Sequence, residues 1–209
     1  MMLALAAAVV LAAWPAPLRA AAQAEASPPD FAFTAALDTQ DGRYVAVRDG
    51  AGRWSLREGA ALKNAKETLG ALAHMKPAHD LGCAARFETI PAAVTLKSET
   101  ADEAIYQYRP TPAADTPAQL SSAFKHSWAE IRVAKDRPRV LGGRVWLQTP
   151  FSPAPLAKVN AYDETFECAA GPGGASIVTN SVFTLDFSAL GQRHFAKRVT
   201  TVSDWRALN

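Results

Sequence analysis

Two cysteines, four histidines and a short run of acids are the side chains whose spacing can be tested for chemistry. The cysteines, Cys83 and Cys168, lie far apart in the chain. A redox-active pair sits close together, as in a C-x-x-C loop, so that one thiolate is activated beside the other. Without that spacing the pair reads as one structural disulfide in an oxidising compartment, the competing reading being two buried free thiols. Among the histidines, His74 and His79 straddle a predicted helix end and Pro77, which is not the i, i+4 spacing that puts two metal ligands on one helical face. His126 stands next to Ser127 on a predicted strand, where neighbours point to opposite faces and cannot act as base and nucleophile. His194 belongs to a basic run with Arg193, Lys197 and Arg198. Alternation turns Asp163 and Glu167 to one side of a predicted strand and Glu164 to the other, which splits a candidate Ca²⁺ site. No G-x-S-x-G, H-E-x-x-H or phosphate-cradling loop is present, and Gly171-Pro172-Gly173-Gly174 lacks the lysine and helix such a loop needs. The residues therefore point to no catalytic group, no metal and no cofactor.

The N-terminus bears on the compartment. Residues 3–14 are an uncharged run of Leu, Ala and Val, long enough for a signal-peptide core and too short to span a bilayer. Pro15 and Pro17 follow as helix breakers, then Ala22-Gln23-Ala24, a small-x-small cleavage site, so the expected mature chain starts at Glu25. This divides the chain into a signal peptide (1–24), a flexible leader (25–30) and a single globular domain (31–209), periplasmic or secreted, with no transmembrane span after processing. Near-balanced charge, +2 for the whole chain, argues against a nucleic-acid partner, which needs a concentrated basic face.

Those residues have to be positioned by elements that the pattern predicts in order. Alternating residues 43–48 and 53–57 flank Asp49-Gly50-Ala51-Gly52 as a β-hairpin. Leu62, Ala65, Leu69, Leu72 and Ala73 recur at helical spacing over residues 60–75, and Pro77 ends the helix. Residues 82–89 alternate Cys83, Ala85 and Phe87 against polar neighbours and read as a strand. Residues 93–97 and 104–109 make a strand pair, 110–115 a loop, and Thr116-Pro117 opens a short helix to about residue 124. Strands follow at 126–134 and at 139–148, the latter with a bulge or bend at Gly142-Gly143. Prolines 150, 153 and 155 mark an exposed connection. Residues 156–187 form a hairpin carrying Cys168, with Ile177, Phe183, Leu185 and Phe187 sharing a face of its second arm; a turn at 189–193 leads to a last strand at 195–202.

The expected fold is mainly β (α+β): a curved antiparallel sheet or half barrel of about 9–10 strands with one amphipathic helix on one face. Trp128, Trp146, Tyr162 and Phe166 are the aromatic candidates for lining a ligand pocket, against core packing as their ordinary role. In architecture alone, an exported chain of this kind is similar to periplasmic lipid or lipoprotein carriers, in which a half barrel holds acyl chains. The leading functional expectation is a non-enzymatic binding or carrier protein for an apolar small molecule, lipid or lipidated partner. An envelope structural or assembly factor contacting another protein is the alternative, and a hydrolase with a scattered site is the third reading.

Overall fold

The computed structural model describes residues 13–112, 116 and 118–208; the expected signal-peptide core up to residue 12, residues 113–115 of the expected loop and the helix-opening Pro117 lie outside the described residues. The architecture is mainly β, as expected, with a few helices. Eleven antiparallel strands among the described residues form one open sheet. They are β1 (Phe31–Thr39), β2 (Gly42–Arg48), β3 (Trp54–Glu58), β4 (Thr95–Glu99), β5 (Glu103–Tyr108), β6 (Ser127–Ala134), β7 (Arg139–Leu147), β8 (Phe151–Ala154), β9 (Ala157–Ala170), β10 (Ser176–Ala189) and β11 (Gln192–Ala207). The sheet order is β3-β2-β1-β11-β10-β9-β7-β6-β5-β4, with β8 paired to the side on β9. Pairing of β1 with β11 brings the N-terminal hairpin against the end of the chain.

The register fixes which side chains share a face. Ala35 stands opposite Ala46 and Val202, Phe183 opposite Arg198 and Glu164, Leu185 opposite Tyr162, and Gly143 opposite Phe166 and Ile131. With Ala129, Val133, Ala104 and Tyr106, these make one inner face, and its centre is buried. Burying each such large apolar side chain contributes roughly 1.5–3 kcal/mol, which is what holds so long an open sheet against its covering segments. Those segments are helix α1 (Ala16–Ala24), helix α2 (Ala65–Ala73), the short α3 (Pro77–Asp80), the 3-10 segment Cys83–Thr89 and helix α4 (Ala118–Phe124). Ala65 and Leu72 of α2 pack with Phe33, Ala35, Leu37 and Tyr44.

Several local expectations are corrected. Residues 82–89 are a 3-10 segment and not a strand: Ala85 N–H bonds back to Gly82 C=O, and the segment's strand-like pairing with the sheet is the isolated bridge of Gly82 to Ile177. The spacing of Cys83 and Phe87, four apart, suits a helical turn as well as alternation, and no partner strand lies alongside to decide for β. Helix α2 begins at Ala65 because residues 59–65 are taken up by successive tight turns, Leu62 N–H to Gly59 C=O and Ala65 N–H to Leu62 C=O. In β10 the register slips between Val178 and Asn180; Val178, facing Cys168, packs in the central cluster, and Ile177 is fully buried with Phe31, Phe33 and Leu81. The break expected at the prolines is present, Ala13 being helical and Trp14 and Pro15 not, and the same prolines then open α1, since a first-turn proline loses no hydrogen bond. Residues 151–154 of the proline-rich connection pair as β8, and Leu190-Gly191, both at positive φ, close a tight β10–β11 hairpin.

The expected disulfide is present: Cys83 and Cys168, 85 residues apart, are joined at an S–S distance of 2.04 Å. It ties the 3-10 segment to β9. The expected bulge in β7 is also present, between Gly142 and Val140 opposite Arg132 and Val133, with Gly142 at φ +153°. Residues 25–30, expected as a flexible leader, lie against the sheet. Glu25 Oε1 and Oε2 accept from the N–H groups of Ser176 and Val140, Pro28 is buried, and Asp30 pairs with Arg48.

Candidate apolar ligand groove

One end of the inner face is not filled by the described residues. The strands β7, β9 and β10 lay Val145, Leu147, Val159, Tyr162, Phe183 and Leu185 side by side, all half-buried, as the floor of a groove of 350 Å³. Alternation explains this floor: each residue is inward by register, and β-branched or aromatic side chains pack well on a pleat. The walls come from outside the sheet. Ala123 and Phe124 of α4 and Pro110 after β5 stand on one side, and Phe151 of β8 on the other. Phe151 is held by a stacked His126 ring, 5.1 Å between centroids, whose Nδ1 lies 3.1 Å from Thr149 Oγ1. Volume, apolar floor and half-open shape are those of a small-molecule site.

A polar boundary closes the groove toward α2. Tyr162 donates its phenol hydrogen to Glu164 Oε2 at 2.5 Å, and Phe183 meets Tyr162 edge-on at 5.6 Å. Burial pushes the Tyr162 phenol well above its ordinary range, and the neighbouring Glu164 carboxylate, by its charge and by the hydrogen bond, pushes it further. Tyr162 is therefore a neutral donor at any physiological pH. Beyond it, Arg198 lies over the Phe183 ring at 5.4 Å and Arg86 over Phe166 at 4.7 Å. Glu164, Arg86 and Arg198 supply charged groups to a second, larger hollow of 490 Å³ between α2 and the strands β1, β11 and β10, whose other lining includes Phe33, Leu72, Met75 and Val202. Tyr44 also lines it and is 1% exposed, its hydroxyl buried with no hydrogen-bond partner among the described residues.

The four aromatic candidates separate. Tyr162 is in the groove floor, and Phe166 is buried in the core beside it, its ring over Gly143. Trp128 and Trp146 are cross-strand partners on the opposite, outer face. Arg109 covers Trp128 at 4.5 Å, Arg144 covers Trp146 at 5.1 Å, and Trp128 Nε1 donates to Gln148 Oε1. The rest of that face is cross-strand ion pairs, Lys97–Glu130, Arg132–Glu167, Arg144–Asp163 and Arg193–Asp186. Of the groove lining, Tyr162 was the candidate from sequence; Phe124, Val145, Leu147, Phe151, Val159, Phe183 and Leu185 were not. The signal for two of them was the shared face of Phe183 and Leu185, but alternation does not say which face is roofed.

The acids sort as alternation predicts, Asp163 and Glu167 outward and Glu164 inward. Among the described residues no group of three or more His, Cys, Asp or Glu converges on a metal position. His79 lies in a shallow hollow with Ser27 and Glu88, its Nδ1 3.0 Å from Asp80 Oδ1 and its Nε2 3.7 Å from Glu88 Oε2. With a carboxylate at each nitrogen, and above all the Asp80 hydrogen bond, the imidazole pKa is raised. That favours an imidazolium ion pair, the wrong form for a general base. Compared with family models, curated proteins and solved structures, the chain matches none.

Proposed function

We propose that this chain is an exported, non-enzymatic binding or carrier protein for an apolar ligand, a lipid or a lipidated partner. The observation that carries the reading is the half-open groove on the inner face, floored by six apolar side chains and unfilled by the described residues. The disulfide supports placement in the periplasm or outside the cell, where such bonds persist. Among the described residues no helix is long and apolar enough to cross a membrane. Organic extraction of the purified protein with mass spectrometry of the extract, joined to titration with a fluorescent fatty acid, tests the reading. Co-purifying lipid and saturable binding are expected; an empty extract and linear, non-saturating signal would rule it out.

A second reading, an envelope assembly factor that pairs with another protein, is favoured by the free edge at β4. All five of its residues are exposed, with Leu96 at 47%. A strand edge left unpaired in this way is a template for strand addition. Cross-linking in intact cells separates the two, since an assembly factor gives one stable adduct through residues 95–99 and a carrier does not.

A further inference from the structure

We infer that the joined tips of the β8–β9 and β10–β11 hairpins dock on a membrane, two leucines entering an anionic lipid surface while lysines beside them face its headgroups. The inference goes beyond the apolar-ligand reading and does not depend on it. Leu156 and Leu190 are 76% and 80% exposed and, with Phe195, are three of the four large apolar side chains exposed among the described residues. One leucine left in water needs no explanation. These two stand together: Ala157 pairs with Ala189 at the last rung of β9–β10, and just beyond it Leu190 N–H donates to Leu156 C=O at 3.0 Å.

Their backbone sets them apart from a folding role. Leu156 lies at φ +61° and Leu190 at φ +50°, the left-handed region that a bulky side chain enters at a cost and that turns ordinarily fill with Gly, Asn or Asp. A strained position that also leaves its apolar side chain in water stabilises nothing within this chain, so what it serves lies outside. The charge beside the tips names the partner. Residues 148–162 and 187–203 contain no acid, and they supply Lys158, Arg193 and Lys197. The register sets Lys158, Ser188 and Arg193 in one row behind the leucines, then Phe195 opposite Asp186, then Lys197 opposite Thr184. The acids next to these rows, Asp186 and Asp163, are held by Arg193 and Arg144, while Lys158 and Lys197 face water. An apolar point with cations around it is complementary to acyl chains beneath anionic headgroups. The Phe151–Val159 pair, which lines the 350 Å³ groove, stands on the same β8–β9 hairpin as Leu156, so docking brings the groove to the lipid surface.

The test is flotation of the oxidised full chain with vesicles of phosphatidylcholine alone and of phosphatidylcholine mixed with phosphatidylglycerol, at low and at raised salt. Capture by the phosphatidylglycerol vesicles is expected to be about tenfold tighter or more than by phosphatidylcholine alone, and to weaken with salt. The Leu156→Asn/Leu190→Asn double variant puts at both turns a residue that accepts positive φ. It should lose about tenfold or more in vesicle affinity while its melting temperature stays equal or rises, a combination that leucines kept for the fold would not give. Lys158→Gln/Lys197→Gln should lose the preference for phosphatidylglycerol at unchanged melting temperature. No flotation of the wild type with either vesicle would overturn the membrane as partner, and so would equal vesicle affinity of the leucine variant and the wild type. A clear fall in the leucine variant's melting temperature would also overturn it, returning both side chains to the fold. Fatty-acid titration in vesicle-free solution reads the groove and flotation reads the tips, so either reading can fail without the other.

Discussion

At the scale of single residues, packing and titration give checks that do not depend on a ligand. A Cβ on Gly143 would stand 2.4 Å from Glu130 O and 2.8 Å from the Phe166 ring. The glycine is what lets Phe166 lie flat on β7 next to the groove. Gly143→Val should cost about 1–3 kcal/mol, read as a lower denaturation midpoint at unchanged slope. His79, held between Asp80 and Glu88, should titrate by NMR above the ordinary imidazole value of 6.5, and Asp80→Asn should bring it down. Because the folded value is the higher one, the stabilisation is fully present below the unfolded value and is lost as pH rises through the folded one. At half exposure that contribution is small, so the chemical shift is the readout. Tyr162 makes the opposite kind of check: its absorbance should show no phenolate until strongly alkaline pH, and early ionisation would mean that the groove end is wet.

At the scale of elements, the disulfide is the strongest single constraint. Closing an 85-residue separation removes unfolded-state freedom on the order of 4 kcal/mol. Reduction should therefore lower the melting temperature by roughly 10 °C, and unchanged melting under reductant would refute the staple. Elements also show how far the sequence could be read. The first hairpin, β6, the β7 bulge and the β9–β10 pair carried their own signals, because alternation and turn glycines are local. The 3-10 segment Cys83–Thr89 and the late start of α2 did not, because each depends on a partner: one lacks a neighbouring strand, and the other gives its first residues to turns under β2. Strand β1 was read only as the onset of order, yet its pairing with both β2 and β11 makes it central.

For the whole molecule, what could not be read was sidedness. Alternation put Trp128 and Tyr162 each on a face of a strand, but the register across β6, β7 and β9 decides that the two faces are opposite. One face is then a field of ion pairs with two arginine-covered tryptophans, and the other is roofed by helices except at the groove. The central claim is that this groove holds an apolar ligand. It is tested most directly by titrating fluorescent fatty acid into the wild-type chain and into Leu185→Asp, a groove-floor change at a half-buried position that the fold can carry. The account predicts saturable binding to the wild type and affinity weakened by about tenfold or more in the variant, roughly 1.4 kcal/mol or above. Equal affinity in the two proteins, both folded, would contradict it.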